Sequence, residues 1–147
     1  MFKKVLVPTD GSPLSEKAIA AAIEFTKTMG GSLVVLSVAE PFVYSALVEG
    51  AGVIPMDSTE YDEKAQQLAQ NNVDKVAAQA KSIGVTCKTE VALSFNPYEE
   101  IVRVAKQSGC DVIFMASHGR KGLNKLFVGS ETQKVLAHST IPVLVFR

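Results

Sequence analysis

The sequence predicts an α/β protein in which a parallel sheet is covered by helices on both faces, a doubly wound, Rossmann-like arrangement. Three observations point there. Four short runs, Lys4–Val7, Leu33–Val38, Val112–Met115 and Val143–Phe146, are almost wholly apolar and rich in β-branched residues, as strands buried on both faces are. Stretches with apolar residues at helical spacing separate them, so strand and helix alternate along the chain. A fifth run, Val85–Val91, instead has a period of two. Val85, Cys87, Thr89 and Val91 fall on one side and Thr86, Lys88 and Glu90 on the other, the pattern of an edge strand with one wet face.

The elements follow in order. Pro8-Thr9-Asp10-Gly11 stops the first strand, and Ser12-Pro13 supplies an N-cap with proline in the first helical turn. Leu14, Ala18, Ala21, Ala22, Phe25 and Met29 form the apolar stripe of that helix, which Gly30-Gly31 ends. With the strand Leu33–Val38 this makes a β-α-β unit and implies a right-handed crossover. Glu40–Met56 has no clear period and reads either as a segment lapping over a ligand or as an irregular helical turn. Asp57–Ile83 is the longest helical pattern, with Tyr61, Ala65, Leu68, Val73, Val76, Ala80 and Ile83 as its stripe and Gly84 as its stop. Asn96-Pro97-Tyr98-Glu99 reads as an N-cap, a first-turn proline and a capping-box glutamate, opening a helix that buries Ile101, Val102 and Ala105 and stops at Gly109. The last helix is expected from about Ser130 to Ala137, with Ser130 and Gln133 as a capping box.

The totals exclude several classes. One domain accounts for all of residues 1–147, enough chain to bury a core without metals or disulfides. Lys+Arg and Asp+Glu balance at 15 each, so nothing favours nucleic acid or an anionic membrane as partner. Cys87 and Cys110 lack any CxxC or Cys/His pattern and read as reduced packing residues. No segment approaches the ~20 apolar residues of a spanning helix, and the first residues do not read as a signal peptide. The expectation is a soluble cytoplasmic protein.

Sheets of this kind bind ligands beyond the carboxyl ends of their strands, where the strand order reverses. If the first and fourth strands are neighbours, Pro8-Thr9-Asp10 meets Ala116–Gly122 there, with Val38 nearby. The stretch from Met115 to Thr132 reads MASHGRKGLNKLFVGSET. It runs from a buried strand, through a loop with His118, Gly119, Arg120, Lys121, Gly122 and Lys125, to a helix start at Gly129-Ser130. It is either a capped surface loop or an anion cradle built on a helix N-terminus.

VLVPTDGS near the start, MASHG followed by GS in the last third, and PVLVF at the end resemble the universal stress protein family over essentially the whole chain. Nucleotide-binding members carry glycine, two residues, glycine, nine residues, glycine and Ser/Thr. Gly119, Gly129 and Ser130 match the second half of that pattern, and Ala116 replaces the first glycine. The resemblance implies a five-stranded parallel sheet in the order 3-2-1-4-5 and an adenine nucleotide, ATP or AMP. Asp10 would lie near the ribose and any phosphate-bound Mg²⁺, and Val38 would meet the adenine through its backbone. Met115, Ser117, His118 and Gly119 would surround ribose and phosphates, and Gly129 and Ser130 would cradle the phosphates. It also implies a homodimer through Val143–Phe146 and action on a protein partner that the sequence does not identify. Two residues oppose the nucleotide. Ala116 adds a methyl where glycine admits close approach, and the Glu131 carboxylate would repel phosphates at the same helix end.

Enzyme readings find little support. GxxxxGK[ST], GxSxG and an SGG-type loop after the first strand are absent, and neither His118 nor His138 has an acid–nucleophile set around it. No catalytic residue is assigned. The alternatives to a nucleotide-dependent sensor or adaptor are a nucleotide-free homodimer acting through protein contacts and a slow Mg-dependent ATPase using Asp10.

Overall fold

The computed structural model describes residues 2–43, 57–119 and 128–147. Along the chain these form β1 (Lys4–Pro8), α1 (Pro13–Met29), β2 (Ser32–Ala39), α2 (Ser58–Ser82), β3 (Thr86–Leu93), α3 (Pro97–Gln107), β4 (Val112–Ala116), α4 (Ser130–His138) and β5 (Val143–Phe146). The five strands form one sheet in the order β3-β2-β1-β4-β5, and every pairing is parallel. The expected sheet, its order and the edge position of the period-two strand are all present.

The parity of the central strands explains their lack of period. Val5 and Val7 of β1, Leu33 and Val35 of β2, and Val112 and Phe114 of β4 face α1 and α2 in one apolar core. Leu6, Val34, Leu36, Ile113 and Met115 lie in a second core with Ile101, Val104 and Ala105 of α3 and Val135 of α4. A strand with a helix layer on each side must be apolar at both parities. β3 sends Cys87 and Val91 into the first core and leaves Lys88 and Glu90 to pair with each other at 2.7 Å.

The first two helices start on a side-chain cap. Ser12 Oγ accepts from the Ser15 N–H at 3.2 Å, and Asp57 Oδ1 accepts from the Thr59 N–H at 2.9 Å. α1 ends on Gly30, whose φ of 61° is the left-handed conformation open to glycine. Gly31 is glycine for a different reason, since a Cβ there would stand 1.9 Å from the Lys3 carbonyl oxygen. At the amino end of β1, Asp111 Oδ2 accepts from the Lys3 and Lys4 N–H groups, and these bonds hold its carboxyl below the usual carboxylate range.

Three expectations fail. Met29 is 38% exposed; Ala18 and Ala22 are buried as expected, and Ile19, Ile23 and Thr26 complete the buried stripe of α1. The stripe of α2 is only half core: Val73, Val76 and Ala80 are buried, whereas Tyr61, Leu68 and Ile83 are exposed. Asn96 makes no side-chain cap on α3, because its carbonyl rather than its amide receives the Glu99 N–H. The segment 44–56, most of the aperiodic Glu40–Met56, lies outside the described residues, as do Arg120, Lys121, Gly122 and Lys125.

Candidate functional site

Both neighbours of β1 turn away from it at the carboxyl edge, β2 toward α2 and β4 toward α4, and a cavity of about 660 Å³ opens there. Its floor is the end of β1. Thr9 is buried, donates its N–H to Leu36 O at 2.8 Å, and its carbonyl accepts from Ser37 Oγ at 2.8 Å. Thr9 Oγ1 lies 3.2 Å from Ser15 Oγ and accepts from the Gly11 N–H. This hydroxyl network fixes the turn that carries Asp10, whose Oδ1 accepts from the Ser12 N–H at 3.0 Å. Its Oδ2 lies 2.8 Å from where a Cβ on Gly119 would stand. The carboxylate and the β4–α4 loop therefore meet as the topology implies, and Gly119 leaves room for the contact.

The far wall is the start of α4. Gly129 is the N-cap residue, its N–H donating to Ser117 O at 2.7 Å, and a Cβ there would come 3.1 Å from the same oxygen and 3.4 Å from His118 Cα. Thr132 Oγ1 donates to Ala116 O at 3.0 Å, which ties the helix to the end of β4. The expected capping box is not formed. Ser130 sits inside the first turn, no side chain among the described residues caps α4, and the Gln133 amide donates to Val128 O at 2.6 Å. The first-turn N–H groups of α4 have no intrahelical partners, and Gly129, Ser130, Glu131 and Thr132 line the cavity.

Glu131 also differs from expectation. Its Oε2 accepts from the Tyr98 N–H at 3.0 Å and its Oε1 from Lys134 Nζ at 2.9 Å. The carboxylate thus caps the start of α3, the service Asn96 fails to perform, and Lys134 offsets its charge. The expected repulsion of phosphates is weakened by that commitment. Lys134 in turn lies 5.3 Å over the Tyr98 ring, and the exposed His138 packs its ring 5.1 Å from the same tyrosine.

Pro8, Thr9, Asp10, Val38, Met115, Ala116, His118, Gly119, Gly129, Ser130 and Glu131 all line the cavity. Ser117 does not: it is buried behind, its N–H donating to Phe146 O at 2.7 Å and its Oγ 2.8 Å from His118 Nδ1. Arg120 lies outside the described residues. His118 Nε2 is buried with no hydrogen-bond partner among the described residues. An orphaned imidazole nitrogen in the cavity wall, beside two glycines where a Cβ would crowd Asp10 Oδ2 and Ser117 O, suits an anionic or polar ligand.

Sequence reasoning missed the wall contributed by α2. Tyr61, Ala65, Leu68, Ala69 and Asn72 line the cavity from one helix face. Their apolar spacing was visible but is identical for a stripe facing a core and one facing a pocket. Pro97 and Ile101 of α3 close the other side. Burial pushes the Cys87 and Cys110 thiols up to about 11, so neither is a nucleophile at neutral pH, and both are unbridged. Among the described residues no group of three or more His, Cys, Asp or Glu side chains converges as a metal site, and no helix is long and apolar enough to cross a membrane.

Comparison with known proteins agrees with this architecture. A profile described as the universal stress protein family matches residues 1–147. A universal stress protein of Methanocaldococcus jannaschii is 30% identical over 156 residues, an alignment spanning 100% of this chain and 96% of the relative. The structure of a universal stress protein from Lactobacillus plantarum superposes with a TM-score of 0.82 at 22% identity, over 99% of this chain and 98% of that one. One from Archaeoglobus fulgidus, solved in complex with dAMP, does so with a TM-score of 0.70 at 14% identity, over 100% and 98%. The sheet order, the β4–α4 glycines and a match running the full length lead to one assignment: this chain belongs to the universal stress protein family.

Proposed function

We propose that this protein binds an adenine nucleotide, ATP or AMP, at the carboxyl ends of β1 and β4, and that it works in the cytoplasm as a nucleotide-dependent sensor or adaptor. The observation that carries the reading is the start of α4. Side chains cap α1, α2 and α3, but among the described residues none caps α4, and that N-terminus borders a cavity large enough for a nucleotide. Its unsatisfied N–H groups and the positive end of its dipole suit phosphate oxygens. The rest of the cavity suits a nucleoside. Val38 offers backbone groups beside the apolar α2 wall, and Asp10 stands where a ribose or a phosphate-bound Mg²⁺ would meet a carboxylate. The Archaeoglobus fulgidus relative, which shares the fold, is solved with an adenine nucleotide, and this supports the reading. The homodimer through β5 belongs to the same proposal.

The test is thermal unfolding and titration calorimetry with ATP, with AMP, and with ATP plus Mg²⁺. Saturation at a hundredfold excess over Kd stabilises by about 2.7 kcal/mol, a shift of several degrees for a chain of this size. No heat and no shift at millimolar nucleotide would overturn the proposal. The Ala116 methyl on the cavity floor would then mark a member that acts through protein contacts alone.

A further inference from the structure

Glu131 is the acidic residue in the first turn of α4, and it lines the cavity. A carboxylate there draws on the same positive dipole end that would serve a phosphate, and an unpaired one would repel it. Neither oxygen is unpaired. Oε2 accepts from the Tyr98 N–H at 3.0 Å and Oε1 from Lys134 Nζ at 2.9 Å. Lys134 is not part of the cavity lining. It stands about one turn further along α4, held by the Glu131 carboxylate and by the Tyr98 ring, whose centroid is 5.3 Å from its ammonium. Tyr98 is fixed in turn, its hydroxyl donating to Glu99 Oε1 at 2.9 Å and its ring packed 5.1 Å from that of His138. The bond to Glu131 also raises the Lys134 amine above its ordinary value, so the cation persists through neutral pH. The Lys134 and Glu131 side chains are 46% and 37% exposed, and exposed pairs contribute little to stability. The consequence of this pair lies in the field at the cavity.

We infer that Lys134 is a positioning residue for the ligand's phosphates. By pairing Glu131 from outside the cavity, it removes the repulsion that would otherwise turn multiply charged ligands away from the start of α4. The inference rests on the nucleotide reading above and adds to it a residue that touches no ligand. Without Lys134 the carboxylate would keep only the Tyr98 N–H, and its charge would act on every phosphate nearby. The penalty therefore grows with the number of phosphate charges, largest for a triphosphate and smallest for a monophosphate. A role confined to holding the fold would weaken all of them alike.

The experiment measures AMP, ADP and ATP affinity by calorimetry on the full chain at low salt. It compares the unmodified protein with Lys134→Met, Lys134→Arg and the double variant Lys134→Met with Glu131→Gln. Lys134→Met keeps a linear stem over Tyr98 and loses the charge, so the melting temperature should move by no more than about 2 °C. It should weaken ATP by about 3- to 10-fold and AMP by about twofold or less, with ADP between, and added salt should shrink the ATP loss. Lys134→Arg should restore the unmodified affinities. The double variant should recover ATP affinity, because glutamine keeps an acceptor for the Tyr98 N–H and carries no charge. Equal losses for the three nucleotides, no loss for any, or an ATP loss that persists in the double variant would each overturn the inference and leave the nucleotide reading standing. So would binding of AMP but not ATP by the unmodified protein. Absence of all nucleotide binding by the unmodified protein overturns both.

Discussion

Thr26 of α1 is 1% exposed, and its Oγ1 has no hydrogen-bond partner among the described residues. A buried hydroxyl left without a partner loses its hydration and gains nothing in return. Valine has the same shape and no such debt. Thr26→Val should therefore stabilise the fold by about 1 kcal/mol, read as a rise of about 2–4 °C in Tm. A fall in Tm would show that the hydroxyl has a partner after all. His118 Nε2 is an orphan of the same kind, but it lies in a wall of the cavity and not in a core. The difference in location turns one orphan into a packing fault and the other into a candidate contact. Neither was legible in the sequence, where Thr26 is an ordinary helix residue and His118 a loop histidine. Gly119 and Gly129 were legible as motif positions, but their physical reason, the approach of Asp10 to one and of the Ser117 carbonyl to the other, exists only in three dimensions.

At the scale of elements, the contact between α3 and α4 is organised by Glu131. Its carboxylate supplies the hydrogen bond that the first turn of α3 lacks and holds Lys134 over Tyr98. Glu131→Ala should cost about 1 kcal/mol, the usual worth of a helix cap, whereas Glu131→Gln keeps an acceptor for the Tyr98 N–H and should cost less. Chemical denaturation of the two variants separates them, and equal losses would mean that charge at the end of α3 matters and the hydrogen bond does not. This link spans 33 residues of sequence, so local rules saw only two adjacent signals, an Asn-Pro start and a Ser-x-x-Gln start, and filled both with the wrong caps. Where the sequence pattern answers to layers, it was read correctly. Both parities of β1, β2 and β4 are apolar because helices cover both faces, and β3 alternates because one face does not need to be. The stripe of α2 fell between these cases, since Val73 and Val76 meet the core while Tyr61 and Leu68, on the same spacing, meet the cavity.

At the scale of the whole molecule, the two edges of the sheet differ. Unpaired strand edges invite association, and charged side chains on the edge are a common defence. β3 carries the Lys88–Glu90 pair on its outward side. β5, Val-Leu-Val-Phe, carries no charge, and Leu144 is 48% exposed beside half-buried Val143, Val145 and Phe146. An apolar open edge four residues long suits a second copy of itself, which is why the proposed homodimer is placed there and not at β3. Light scattering coupled to size exclusion at micromolar concentration should give twice the 15.7 kDa chain mass. Leu144→Asp puts a carboxylate at the centre of that edge, where the proposed dimer would set it against a second copy, and should give the single-chain mass without loss of the fold, because the side chain is in neither core cluster of its own monomer. The cavity proposed for the nucleotide lies at the carboxyl ends of the strands, so ATP affinity in the monomeric variant should remain within about threefold of the unmodified protein, a change of less than one kcal/mol. A dimer that survives Leu144→Asp would place the interface elsewhere. A monomeric mass for the unmodified chain would remove it, and a loss of ATP affinity on dissociation would mean that the second copy completes the site.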